Sequence, residues 1–236
     1  AEAAAAAAAS VGPGGWDYYG PVKPFPPIKR RIELGGLLES EGMKIGAEIG
    51  VLGGNFAAHL LRRWKGCERY LMVDPWLHQD TAEYTLNKYQ NEELMNRALN
   101  VTRRTGTSAK IEVCRNFSTD CAPQFPDGSF DFVYVDARHD HASALEDIRA
   151  WWPKVRRGGI LAGHDYVDAI ESANSGFDWG IRVDGTRDHL GRAVQGAVDE
   201  FAREVNRQVL VVYGERHDDL YILKDYPNYP TWVIRK

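Results

Sequence analysis

Gly46-Ala47-Glu48-Ile49-Gly50-Val51-Leu52-Gly53-Gly54-Asn55-Phe56 decides the fold of this 236-residue chain. Lys44 to Ile49 is a short apolar run that suits a buried strand. Gly50, Gly53 and Gly54 permit positive φ and let the backbone approach a ligand closely. From Asn55 to Trp64 the spacing turns helical, with Phe56, Leu60 and Trp64 on one face. Leu71-Met72-Val73-Asp74 then reads as a second strand ending in an acid. A glycine turn after one strand and a carboxylate at the tip of the next can hold a nucleoside. The turn admits the ligand to the backbone, and the acid accepts hydrogen bonds from the ribose hydroxyls.

Working outward, strands and helices alternate from residue 44 onward. Strands are predicted at 44–49, 69–73, 110–114, 130–135, 158–163, 209–213 and 219–223. Helices are predicted at 55–65, 81–104, 142–154 and 190–206. This alternation implies an α/β, doubly wound, mostly parallel seven-stranded sheet covered on both faces. Only Gly214 to Asp218 separates the last two runs, which permits a hairpin, so the last strand is expected to be antiparallel. Two polar segments, 77–104 and 166–189, read as insertions after strand ends and as lid candidates. Residues 1–28, rich in Ala, Gly and Pro, read as an arm or linker, and 29–236 as the domain. Trp16, Tyr18, Tyr19 and Phe25 suggest that part of the arm docks. Ile28 to Ser40 reads as a helix interrupted at Gly35-Gly36.

A net charge of -4 offers no electrostatic footprint for nucleic acid. Lys29-Arg30-Arg31 is short and reads as a solvated face. Cys67, Cys114 and Cys121 have no metal spacing and read as free thiols of a reducing compartment, with one bridge left open. No apolar run is long enough to cross a membrane. The sequon Asn116-Phe117-Ser118 lies where a glycan would obstruct a cofactor loop; a second is Asn100-Val101-Thr102. The expectation is a cytoplasmic protein, with a removed N-terminal stalk and a homo-oligomer left open.

Glu48-x-Gly50-x-x-x-Gly54, Val73-Asp74 and the seven-strand pattern together resemble the class I S-adenosylmethionine-dependent methyltransferases. A narrower likeness rests on Asp131-Phe132-Val133-Tyr134-Val135-Asp136-Ala137-Arg138-His139-Asp140-His141 and on Trp151 to Tyr166, which ends Gly163-His164-Asp165-Tyr166. These are similar to metal-dependent small-molecule and sugar O-methyltransferases of the macrolide-sugar and cephalosporin-pathway type. The likeness spans roughly 44–223 and implies the Rossmann-like methyltransferase fold. It also implies S-adenosylmethionine as cofactor, held by Glu48, Gly50, Gly54, Asn55, Phe56, Asp74, Trp76, Asn116, Ser118 and Asp136. Trp76 would stack on adenine, with core packing as its other reading. Asn116 and Ser118 would meet the adenine edge.

Asp136-x-x-His139 and His164-Asp165 form the most informative constellation. If their strands are neighbours, the two acids converge at one rim, where paired carboxylates suit Mg²⁺. A metal set of Asp136, His164 and Asp165 would lower the pKa of an acceptor hydroxyl, the imidazole favouring Mn²⁺. His139, with Asp136, would be catalytic, taking the acceptor's proton. Asp136 and Asp165 also read as helix caps. His141 reads as a surface residue, and Asp147 as a helix-face partner of Arg149 or Lys154. The expected partner is a small-molecule acceptor, a sugar or other diol. The rivals are a nicotinamide-dependent oxidoreductase, whose glycine spacing is absent, and a non-catalytic cofactor-binding subunit.

Overall fold

Residues 10–11, 17–18, 21–79, 88–213 and 229–236 are described by a computed structural model of the chain. The main sheet has seven strands: β1 (Ile45–Ile49), β2 (Arg69–Val73), β3 (Lys110–Cys114), β4 (Phe130–Val135), β5 (Val155–Gly163), β6 (Leu210–Val212) and β7 (Thr231–Arg235). Their order is β3-β2-β1-β4-β5-β7-β6. The pairs among β1 to β5 are parallel, and β7 runs antiparallel to both β5 and β6. A separate two-residue antiparallel pair, Ser10–Val11 with Asp17–Tyr18, lies in the arm.

The helices are α1 (Leu34–Ser40), α2 (Asn55–Arg63), α3 (Lys88–Arg103), α4 (Ser118–Cys121), α5 (His141–Trp151), α6 (Ala169–Asn174) and α7 (Val194–Glu204). Side chains alternate between two cores, as the two-residue period of a strand requires. Ala47, Ile49, Val133, Val135 and Leu161 face the cluster containing Trp151, Trp152 and Phe201. Tyr70, Met72, Phe132, Tyr134 and Ile160 face the cluster containing Leu34, Leu60 and Trp64. Gly46 makes room for Trp64, since a Cβ there would lie 2.7 Å from the indole.

Register aligns the carboxyl ends. Ile49 sits beside Val73 and Val135, Val73 beside Cys114, and Val135 beside Gly163. The ladder continues one residue further: Gly50 N donates to Val73 O, Asp136 N to Ile49 O and His164 N to Val135 O. Arg115, Asp74, Gly50, Asp136 and His164 therefore leave the sheet side by side, along one rim.

Several expectations change. The final strand is Thr231–Arg235; the run at 219–223 and its hairpin turn lie outside the described residues. Both runs are apolar, so pattern alone does not rank them, but Trp232 fills the space left by Gly163. The segment 77–104 is not an inserted lid. Its helix α3 is the crossover that two parallel strands need, packed on α2 with Ala98 against Gly54. Cys114 and Cys121 form a disulfide, and only Cys67 is free. The turn from β3 into α4 brings this pair together. A 3₁₀ turn, Arg31–Glu33, precedes α1 in place of a longer helix. Ahead of it Phe25 packs on the second core under Arg235, and Lys23 pairs with Glu41. No helix among the described residues is long and apolar enough to cross a membrane.

Candidate active site

A cleft of about 700 Å³ opens along the rim. At its centre Gly50 has φ of +83°, and a Cβ there would lie 1.9 Å from the Asp136 carbonyl oxygen. Only glycine fits so close to the backbone of a neighbouring strand end. Gly54 also has positive φ, but it is packed against Ala98 of α3 and does not line the cleft. Its missing side chain serves helix packing. Asn55 accepts a hydrogen bond from Arg97. Phe56 stacks on Tyr134 with ring centres 3.7 Å apart. Glu48 is buried at the cleft floor, where the Tyr70 hydroxyl donates to it at 3.1 Å. Burial, and then the nearby Asp136 charge, hold its carboxyl well above the usual carboxylate range.

Asp74 is occupied locally. One carboxylate oxygen accepts from the backbone N–H groups of Val51 and Leu52, both at 2.9 Å, and the other accepts from Trp76 N at 2.7 Å. Burial raises its pKa, against these three donors. The acid thus shapes the glycine loop before it meets any ligand. Trp76 is buried beneath the loop and its indole N–H donates to Leu52 O. Beyond β3, Asn116 and Ser118 line the cleft. The Ser118 hydroxyl donates to Asp147 of α5, and the disulfide brackets this loop.

The other end of the cleft is built from side chains. Asp136, His139 and Asp165 bring their ligand atoms within 4.8 Å of one another. His139 Nε2 lies 3.1 Å from one Asp165 oxygen, and His164 Nδ1 lies 2.9 Å from the other. His164 Nδ1 is 3.9 Å from Asp136. Asp165 has φ of +58°, a strained conformation for a residue with a side chain. Burial opposes its ionisation, yet His164 and His139 hold its carboxyl well below the usual range. Burial raises that of Asp136, against His164. Trp179 stacks face to face on His139 at 4.3 Å and is itself flanked by Phe177 and Tyr229. Two carboxylates and an imidazole converging in this way fit a divalent cation. The convergent third member is His139, whereas sequence spacing pointed to His164.

Residues 47–166 match the model of a family described as "Methyltransferase domain". The chain belongs to the methyltransferase-domain family. With the strand order above, this makes it a class I S-adenosylmethionine-dependent methyltransferase. No curated protein matches it in sequence. Among solved structures, an O-methyltransferase from Bacillus cereus in complex with SAH is similar with a TM-score of 0.56 at 18% identity. That match covers 92% of this chain and 84% of the other. The O-methyltransferase TomG from Streptomyces achromogenes, involved in tomaymycin synthesis and solved with SAM, gives a TM-score of 0.53 at 15% identity. It covers 87% of this chain and 79% of that one.

Three side chains of this methyltransferase differ from their sequence reading. Arg31, expected in solvent, is 5% exposed. Its guanidinium lies 4.0 Å from Asp136, donates to the Tyr134 hydroxyl at 3.5 Å and sits over the Phe56 ring. The signal was present, since Arg31, Leu34 and Leu38 share one helical face. His141 is buried, with Nε2 3.2 Å from Glu200, and burial lowers its pKa. Asp147 is buried in the cleft wall. Arg149 pairs with Glu200 and Glu204 instead, and Lys154 with Asp127. The segment 166–189 is fastened over the site: Asp188 holds Arg182 and Arg192, and Trp179 reaches His139. A lone tryptophan among Gly, Asp and Ser was its only mark in the sequence.

Proposed function

We propose that this methyltransferase methylates a hydroxyl oxygen of a small acceptor, a sugar or another molecule with neighbouring hydroxyls. The observation that carries this reading is the convergence of Asp136, His139 and Asp165 at the cleft rim. Bound S-adenosylmethionine would supply an already activated methyl group. The protein then has to position the acceptor oxygen and remove its proton. Gly50 admits the cofactor to the backbone, Glu48 and Asp136 serve its amino-acid end, and Phe56 walls it. Asp74 has acceptor capacity left for a ribose hydroxyl, beside the three donors it already holds. Trp76, Asn116 and Ser118 border the base. A divalent cation held by Asp136 and Asp165, with His164 at hand, would lower the acceptor's pKa.

His139 is the base in this reading. If its Nε2–H donates to Asp165, Nδ1 keeps the lone pair, and Trp179 fixes the ring plane. Nε2 cannot serve a cation and this hydrogen bond at once, which is why we assign the cation to the acids. Calorimetry with S-adenosylhomocysteine and turnover on hydroxylated acceptors test the proposal. Exhaustive chelation should abolish turnover and spare nucleoside affinity. Retained turnover would remove the cation from the scheme, and undetectable nucleoside binding would overturn the cofactor assignment.

A further inference from the structure

Arg138 and Gln79 line the cleft from two sides. Arg138 follows β4 and Gln79 follows β2, and the Arg138 guanidinium donates to the Gln79 side-chain oxygen at 2.6 Å. The same guanidinium lies over the Phe117 ring, 5.5 Å from its centre, in the loop after β3. In the sheet β1 stands between β4 and β2, and β2 between β1 and β3. Side chains that join the loop after β4 to the loops after β2 and β3 therefore cross above the ends of β1 and β2. Those ends carry Gly50 and Asp74, the floor of the nucleoside end of the cleft. The bridge is thus a roof over that floor. Strands one place removed from each other lie about 10 Å apart, a gap that two long side chains close and two short ones would not.

We infer that the Arg138–Gln79 bridge is a clasp over the cofactor, which opens to admit S-adenosylmethionine or release S-adenosylhomocysteine and closes again over either. The inference rests on the cofactor reading above. The cleft beneath holds about 700 Å³, within the range of pockets that enclose a drug-sized ligand, so ligand and bridge have room to coexist. A hydrogen bond from an ionised donor is among the stronger ones, and both side chains are half-buried, where water competes less for it. Yet it is one bond between two flexible side chains, so it breaks by a change of rotamer and not by unfolding. The floor stays fixed meanwhile, because Asp74 and the glycine loop are held by backbone N–H groups. A bond present with and without ligand adds the same barrier to entry and to exit. It changes both rates and leaves affinity alone, whereas a group that touches the ligand changes affinity, mainly through dissociation.

The test is stopped-flow binding of S-adenosylhomocysteine to the full chain, read by tryptophan fluorescence, with calorimetry for the equilibrium constant. Gln79→Ala removes the acceptor and leaves the guanidinium, and Arg138→Ala removes the donor. Each should raise the association and dissociation rate constants together, by at least about tenfold. The dissociation constant should stay within about twofold of wild type. The double variant should be no faster than the faster single variant, since both remove the same bond. Gln79→Glu turns the bond into an ion pair and should slow both rates. Wild-type rates in both single variants would overturn the inference. So would weakened affinity in Arg138→Ala with none in Gln79→Ala, which would make Arg138 a ligand contact. If the wild type binds no S-adenosylhomocysteine, the cofactor assignment itself fails and takes this inference with it.

Discussion

The two ends of the cleft are held by different means. At the glycine-loop end the key acid, Asp74, bonds to backbone N–H groups within two residues of itself and one loop away. At the other end, His139 is set by Asp165 from the β5 end and by Trp179 from the following segment, while Arg31 faces Asp136 from the N-terminal side. One end is a backbone fold stabilised by its own sequence motif. The other is an assembly of side chains from distant parts of the chain. A ligand-shaped backbone can be specified locally, whereas a proton-transfer site needs groups that only the fold brings together.

Gly50 joins the two ends, and changing it should do the most damage. Gly50→Ala places a Cβ against the Asp136 carbonyl and demands positive φ from alanine. We expect a loss of stability on the order of 3 kcal/mol or more, with loss of nucleoside binding, read by denaturant unfolding and calorimetry. Wild-type behaviour would mean that the loop does not abut Asp136.

His139→Ala separates the ends cleanly. Turnover should fall by about 10²–10⁴-fold and partly return at high pH, with nucleoside affinity intact. A matching loss of affinity would show that the ends are not independent.

The Asp147 carboxyl sharpens the comparison through pH. Its folded pKa of about 7 exceeds the unfolded value of 3.8, so the neutral form favours folding. Its contribution is complete below about pH 4 and is lost as pH rises toward 7, with a limiting slope of about 1.4 kcal/mol for each step of one in pH. Denaturation of the ligand-free protein across this window should show the slope, and Asp147→Asn should flatten it. An unchanged slope would place the titration elsewhere.

Asp74→Ala should cost about 1–3 kcal/mol, since it strands three backbone donors. Part of that loss should appear in the ligand-free protein as faster hydrogen exchange at Val51 and Leu52. A loss confined to nucleoside affinity would mean that the ribose, not the loop, is its main partner. Reducing Cys114–Cys121 should have an effect of comparable size, about 2 kcal/mol for so short a loop. Perturbation should centre on Ser118 and its neighbours, read as amide shifts. Shifts reaching His139 instead would couple the two ends.

Sequence alone determined the strands β1 to β5, the turn at Gly50, the pairing of rim acids and the class of fold. These features depend on short-range pattern: apolar runs with a period of two, glycine at a strand end, an acid one residue past it. The last strand, the disulfide, the burial of Arg31, His141 and Asp147, and the stacking of Trp179 on His139 were decided by tertiary structure. Each depends on which residue lies opposite across the sheet or beneath a loop. Arg31 carries the same charge in solvent as it does against Asp136, and Asp147 has the same helical spacing whether its face meets water or a cleft. Burial and partnership are properties of the assembled chain, because the free energy of a charged side chain is set by what surrounds it and not by its neighbours in sequence.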